Sequence, residues 1–245
     1  MTSSDLWDEE TAERYDDTSA DMFAPDVLDP AVDFLARLAG SGPALEFAIG
    51  TGRVAIPLLA RGIPVSGIEL SQPMVDQLRR KMPADDLPVV VGDMATATVS
   101  GEFSLVYIVF NSIGNLRTQD EQVQCFQNAA RHLSPGGRFV VELWVPSVRR
   151  FPPGQSAVPF DVTERHVGFD TFDMVTQQGT SHHYYRAENG STRYGYSNFR
   201  YIWPAECDLM ARLAGMSLEQ RVAGWDGSPF TSDSESHVSV WRKPN

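Results

Sequence analysis

Cysteine is nearly absent from this chain of 245 residues: two occur, Cys125 and Cys207. Each falls inside a helical pattern with no metal-ligand spacing around it, so neither a disulfide scaffold nor a structural zinc site is expected. Basic residues are also scarce, 20 Lys+Arg against 32 Asp+Glu, which leaves a formal charge of −12. An acidic chain repels phosphate backbones and anionic membranes, and no Lys/Arg-rich stretch overrides that total. Nucleic acid and membrane are therefore not expected as partners. No run approaches 18 consecutive apolar residues, so no bilayer span is predicted. The opening Met1-Thr2-Ser3-Ser4-Asp5 lacks a basic region followed by an apolar one, which predicts no signal peptide and a cytoplasmic location. The length suits one large α/β domain. Folding at this size hides roughly 70–75% of the unfolded chain's surface, enough for a core without metals or disulfides.

What is present is an alternation of strands and helices. A weak helical pattern around Thr11 to Asp16 precedes a better one, with Asp29 as N-cap, Pro30 at the first helical position and Gly40 at the end. Apolar runs at Ala44–Ala48, Pro64–Glu69, Leu87–Val91, Leu105–Phe110 and Arg138–Leu143 read as five strands. Helical spacing follows the first, with an awkward Pro57 inside it, and the second, where Ser71 is the cap. Thr118 with Glu121 forms a capping box before a stripe of Val123, Phe126, Ala130 and Leu133. Strands in this order with intervening helices predict a parallel sheet covered on both faces. After Pro146 the character changes. Residues 147–203 alternate as β structure, carry an Asn189-Gly190 hairpin signal and hold five of the seven tyrosines. They read as an antiparallel sheet inserted after the fifth strand. A short helix after Pro204 and two closing strands, near Leu218–Trp225 and His237–Trp241, complete the chain.

Ligands of an open parallel sheet bind beyond the carboxyl ends of its strands. The first strand leads into Glu46-Phe47-Ala48-Ile49-Gly50-Thr51-Gly52-Arg53-Val54-Ala55. Gly50 and Gly52 permit a tight turn and close approach of a ligand to the backbone. Those glycines with Ala55, and Glu69 further on, also satisfy a dinucleotide fingerprint, so the acids must discriminate. Glu46 before the turn suits a ligand ammonium and repels a pyrophosphate. Glu69 ends the second strand, where it can accept from a ribose diol, and Asp93 follows the third, where it can accept from an exocyclic amine. An ammonium, a ribose and an adenine together describe S-adenosylmethionine.

On these residues the sequence resembles the class I S-adenosylmethionine-dependent methyltransferases. Glu46 to Gly52 resembles the family's first motif, Glu69 its ribose acid, and Gly92-Asp93-Met94 its adenine-side motif. Phe110-Asn111-Ser112-Ile113-Gly114-Asn115-Leu116 resembles the segment that ends the fourth strand beside methionine and substrate, and Leu133-Ser134-Pro135-Gly136-Gly137 the turn before the fifth. Two positions depart from the family: Ala48 stands where a glycine is frequent, crowding the pocket slightly, and Ile49 replaces a small or sulfur residue without evident consequence. The resemblance implies a Rossmann-like, seven-stranded, mostly parallel sheet with a reversed C-terminal β-hairpin. It makes residues 1–245 one domain, with lid helices in 1–40 and an inserted sheet at 147–203 that forms the acceptor site. Ala12-Glu13-Arg14-Tyr15-Asp16 resembles the lid helix of small-molecule members. The Ser112-Ile113-Gly114 signature and the inserted sheet look most like bacterial aminosugar N-methyltransferases, with some likeness to glycine N-methyltransferases.

The expected cofactor contacts are Tyr15, Glu46, Ala48, Gly50, Gly52, Arg53, Glu69, Leu70, Met74, Asp93, Met94, Phe110 and Asn111. The expected acceptor contacts are Asn111, Trp144, Tyr194, Tyr196 and Arg200, the arginine suiting a carboxylate or phosphate. Tyr194, Tyr196 and Asn198 share one strand face, and Arg200 continues it. A base is required when the nucleophile arrives protonated, and His182, His183 and Tyr15 are the candidates, with His166 also in the insertion. Adjacent strand residues point to opposite faces, so one of His182 and His183 faces the pocket. The reading is methyl transfer to a nitrogen or oxygen of a small-molecule acceptor by in-line displacement, and it leaves room for a homodimer. Two rivals stand beside it, a nicotinamide-dependent oxidoreductase and a non-catalytic S-adenosylmethionine-binding module.

Overall fold

Strands that bury both faces must lie between helical layers, and here β1 (Ala44–Phe47), β2 (Val65–Glu69) and β4 (Phe103–Ile108) do so. The computed structural model describes residues 7–187 and 189–245; Met1 to Asp5, read above for a leader, lie outside that range. β1 pairs in parallel with both β2 and β4, which places the switch point of the sheet at its end. β3 (Val89–Val91) extends one edge beyond β2, and β5 (Leu133–Trp144) lies beside β4. β10 (Ser217–Val222) and β11 (Ser236–Arg242) close the other edge antiparallel, giving the order β10-β11-β5-β4-β1-β2-β3. The fold is thus the Rossmann-like sheet with its reversed C-terminal hairpin.

Two apolar layers hold it. Phe126 of α5 (Gln119–His132), Phe139 and Trp241 pack edge to face on one side, with Cys207 and Met210 of α6 (Pro204–Leu213). On the other, Leu35 of α2 (Pro25–Ala39), Leu58 of α3 (Ala55–Ala60) and Leu78 of α4 (Gln72–Lys81) cover Leu105 and Tyr107. The capping box of Thr118 and Glu121 forms as expected. α1 (Glu9–Thr18), capped by Asp8, lies against α4, where Lys81 pairs with Asp16.

Two local readings are corrected, and one connection departs from strict alternation. α2 starts at Pro25 rather than Pro30, because Ala24 is already extended and a proline fits the first position. Pro57 is no obstacle in α3: the helix starts at Ala55, so its missing N–H falls among the first-turn donors that have no helical partner. Residues 92–102 connect β3 to β4 without a helix.

The insertion forms a second, four-stranded antiparallel sheet of β6 (Ala157–Val162), β7 (His166–Asp173), β8 (Gln178–Arg186) and β9 (Thr192–Arg200). Asn189 and Gly190 lie in the hairpin between β8 and β9, whose strands close at Arg186 and Thr192. Among the described residues no helix is long and apolar enough to cross a membrane.

Candidate active site

The turn after β1 is built on left-handed backbone. Gly50 has φ +56° and Gly52 +84°, and Ala48 takes φ +55° although it has a side chain. A Cβ on Gly50 would stand 3.4 Å from the Met74 methyl, and one on Gly52 3.1 Å from Ile56 and Leu78. Ile49, given no role in the sequence reading, packs over Gly67, where a Cβ would lie 2.6 Å from it. Glu69 at the end of β2 locks the turn: its carboxylate accepts from Gly50 N at 2.8 Å and from Ser71 N at 2.9 Å. Burial pushes that carboxyl upward and the backbone donors oppose the shift. Each oxygen keeps a second lone pair for a ligand hydroxyl. Asp93 caps its own turn, accepting from Ala95 N at 2.7 Å.

Tyr15, Ala48, Gly50, Glu69, Leu70, Met74, Asp93 and Met94 all line one cavity that opens to solvent. Trp7, Ile68, Gly92, Asn115 and Leu116, absent from the expected contacts, complete its walls. Trp7 meets Tyr15 edge to face at 5.6 Å, and its carbonyl accepts from the Ser71 hydroxyl. α1 is tied over the cavity by Asp16, which accepts from Thr51 Oγ1 at 2.6 Å and pairs with Lys81. A weak amphipathic pattern gave no sign of that strap, since both partners come from distant elements.

Glu46 departs from its expected place at a ligand ammonium. It is 1% exposed, absent from the cavity walls, and accepts from the Tyr107 hydroxyl at 2.9 Å. Burial pushes its carboxyl up to about 8, against the Tyr107 hydrogen bond. Arg53 is also outside the cavity walls; its guanidinium lies 5.7 Å over the Phe110 ring and donates to the Met22 carbonyl. Phe110 and Asn111 are consecutive left-handed residues, φ +53° and +59°. Glu142 accepts from Phe110 N, and Asn111 Oδ1 from Trp144 N, which holds this strained end of β4 against β5. Trp144 is 62% exposed and stands edge to face with Phe110.

A methyltransferase-domain family model matches residues 44–137, the span from β1 to the turn within β5. The structure of the CcbJ methyltransferase from Streptomyces caelestis is 35% identical, superimposes with a TM-score of 0.86, and is covered over 99% of its length by 100% of this chain. The chain belongs to the class I S-adenosylmethionine-dependent methyltransferases. Its cofactor is S-adenosylmethionine, and it is an enzyme of methyl transfer rather than a nicotinamide-dependent oxidoreductase or a non-catalytic module. This methyltransferase is also similar to the cypemycin N-terminal methyltransferase of a Streptomyces species, 25% identical over 98% of each chain. It is 32% identical to the dTDP-3-amino-3,4,6-trideoxy-alpha-D-glucopyranose N,N-dimethyltransferase of Streptomyces venezuelae, over 50% of this chain and 51% of that one.

The inserted sheet of the methyltransferase corrects the expected acceptor contacts. One face carries Val167, Phe169 and Thr171 of β7, His182 and Tyr184 of β8, and Tyr194 and Tyr196 of β9. The opposite face carries His166, His183, Tyr185, Arg193 and Phe199. The second face meets α1, where Arg193 pairs with Glu10 at 3.0 Å, and the turn after β4, where Phe199 lies against Gly114, so it looks inward along its length. Among the described residues the first face is covered only at its base, where Arg200 packs on α5 and α6. Tyr194 and Tyr196 therefore stand on the outer face, where Tyr194 donates to or accepts from His182 at 2.8 Å. Arg200 is 5% exposed and bonded to Glu206, Gln122 and Gln177, so it is a buried strut between β9, α5 and α6. No acceptor carboxylate reaches it there.

Proposed function

We propose that this methyltransferase methylates the amine nitrogen of a hydroxylated small molecule, an amino sugar being the favoured class. The observation that carries the reading is the chemistry of the inward face of the inserted sheet. It presents imidazoles and hydroxyls, while its charged groups are already engaged: Asp161 by His166, Asp170 by Ser181, Arg193 by Glu10. A neutral, polar wall suits sugar hydroxyls, and the −12 charge of the chain favours a cationic amine over an anion. The nitrogen is supported by the similar proteins, whose names describe an N-terminal methyltransferase and an aminosugar N,N-dimethyltransferase.

Three arginines that a nucleotide-linked form of the sugar could use are already engaged. Arg149 is engaged by the carbonyls of Ser232 and Ser234, Arg150 by Glu235 and Arg200 by Glu206. The residues present fit the cofactor: Glu69 suits the ribose diol, Asp93 the adenine side, and Gly50 admits the ligand against the backbone. When bound, the cofactor supplies a sulfonium methyl open to in-line displacement, for which alignment and exclusion of water contribute much of the acceleration. Tyr15, on a helix strapped across the cavity, closes that space. Burial pushes its phenol upward, so it keeps its proton and acts as a wall rather than a base.

Formation of S-adenosylhomocysteine over a panel tests the reading. The panel holds free amino sugars, amino-acid amides, a nucleotide-linked amino sugar, and the same compounds with hydroxyl in place of amine. Turnover is expected with the free amines and not with the hydroxyl analogues; the reverse pattern sinks the proposal.

A further inference from the structure

On the inward face of the inserted sheet, three side chains form a hydrogen-bonded chain that ends in an unpartnered ring nitrogen. Asp161 of β6 lies 2.6 Å from His166 Nδ1, and His166 Nε2 lies 3.0 Å from His183 Nδ1. An ionised carboxylate only accepts, so it assigns the His166 proton to Nδ1 and leaves a lone pair on Nε2. His183 Nδ1 then carries the proton, which it donates to that lone pair at 3.0 Å, with the Tyr185 hydroxyl oxygen a longer acceptor at 3.3 Å. Its own Nε2 is left as an acceptor, with no hydrogen-bond partner among the described residues.

The rings are held by packing. His166 stacks on Tyr185 at 4.5 Å and on His183 at 5.2 Å, and Phe160 lies against both histidines. His183 has a glycine opposite it on each neighbouring strand, Gly168 on β7 and Gly195 on β9. The Gly168 side is filled, since a Cβ there would stand 2.3 Å from Phe160, whereas nothing lies within 4 Å of a Cβ on Gly195. The face is anchored at Arg193 to α1 and at Phe199 to the turn after β4. Tyr15 of α1 and Asn115 of that turn are walls of the cofactor cavity. His183 pairs with Gly195 between these two anchors, beside an open space.

The geometry points to a carboxylate–imidazole–imidazole relay in which His183 Nε2 takes the proton of the acceptor amine, with His166 and Asp161 as positioning residues. This rests on the amine reading above. An acceptor that arrives as an ammonium loses one N–H bond, the electron pair stays on its nitrogen, and an N–H bond forms at His183 Nε2. The positive charge gained is stabilised through His166 by the Asp161 carboxylate. Burial, then the neighbouring His166 and His182, holds the His183 imidazole below its ordinary value, so the ring is neutral and able to accept. The other titratable and charged groups around it are Asp161 of β6, His166 and Asp170 of β7, Tyr185 of β8, and Arg193 of β9 with Glu10 of α1. His182 lacks this arrangement: both of its nitrogens are taken, by Thr171 and Tyr194.

Two measurements test the relay. Nitrogen-15 NMR of the histidine rings in the full chain, saturated with S-adenosylhomocysteine, reads the tautomers directly. Protonation of His183 at Nδ1 alone is expected, with Asp161→Asn admitting the form protonated at Nε2. A proton on His183 Nε2 at neutral pH in the native chain overturns the relay whatever the acceptor is. In turnover of an amine from the panel, His183→Gln is expected to lower kcat by about 100-fold. Its affinity for S-adenosylhomocysteine should change by less than about twofold, and His182→Gln on the outer face should stay within about twofold in kcat. Asp161→Asn should move the acidic limb of the kcat profile to lower pH. Unchanged kcat in His183→Gln overturns the relay and leaves the amine acceptor standing. Turnover of hydroxyl analogues alone overturns the amine reading, and with it the relay's role in accepting an amine proton.

Discussion

The Glu69 carboxylate accepts the backbone N–H of Gly50 at 2.8 Å, which joins the tip of β2 to the turn after β1 across the floor of the cofactor site. Its other oxygen is held by Ser71 N, so both acceptors are oriented before any ligand arrives. Glu69→Gln puts an amide N–H against one of two backbone donors. Loss of one charge-assisted bond is worth about 1.5–3 kcal/mol, so S-adenosylhomocysteine affinity should fall about 10- to 100-fold by calorimetry. Affinity within a factor of two of the native protein would remove Glu69 from the cradle.

Glu46 makes cofactor-free stability depend on pH. An exposed glutamate titrates near 4.5, whereas burial carries this one to about 8. Between those values the folded chain binds more protons than the unfolded one. The contribution of Glu46 is therefore full below the lower value and is lost as pH rises through the upper one. Glu46→Gln cannot ionise and keeps a partner for the Tyr107 hydroxyl. Its melting temperature, relative to the native protein, should climb as pH is raised from about 5 to about 8. A constant difference across that range contradicts the burial argument.

Arg200 and Glu206 form an ion pair at 2.7 Å with side chains 5% and 14% exposed. Arg200→Met leaves Glu206 without its cation, a loss of about 3–5 kcal/mol for a buried pair. Thermal denaturation should show a fall of roughly 6–15 °C. The KM for an acceptor amine, measured below the new transition, should be unchanged; a raised KM with an unmoved melting temperature would restore Arg200 to the acceptor site.

Ala48 and Gly52 share left-handed backbone and should respond oppositely to exchange. A residue with a Cβ is destabilised there by about 1–2 kcal/mol, part of which is offset by its lower unfolded-state entropy. Ala48→Gly should raise the melting temperature by about 1–4 °C. Gly52→Ala should lower it, because the new methyl also meets Ile56 and Leu78 at 3.1 Å.

The glycine turn, the acids at three strand ends, the Thr118–Glu121 box and the parallel order of strands were legible in the sequence. Each depends on neighbours within a few residues or on a period that the chain repeats. What tertiary structure decided was orientation and depth. Alternation divides the inserted sheet into two faces, but the pairing of Arg193 with Glu10 and the seat of Phe199 on Gly114 select the inward one. That choice brings His183 inside and leaves Tyr194 and Tyr196 out. Strand position brought Glu46 near the site, but Tyr107, from a strand 61 residues on, drew it into the core. The register shift between Pro159 and Asp161 turns the carboxylate toward His166. Pairing across strands is a long-range matter, and local pattern carries no record of which side chains it will bring together.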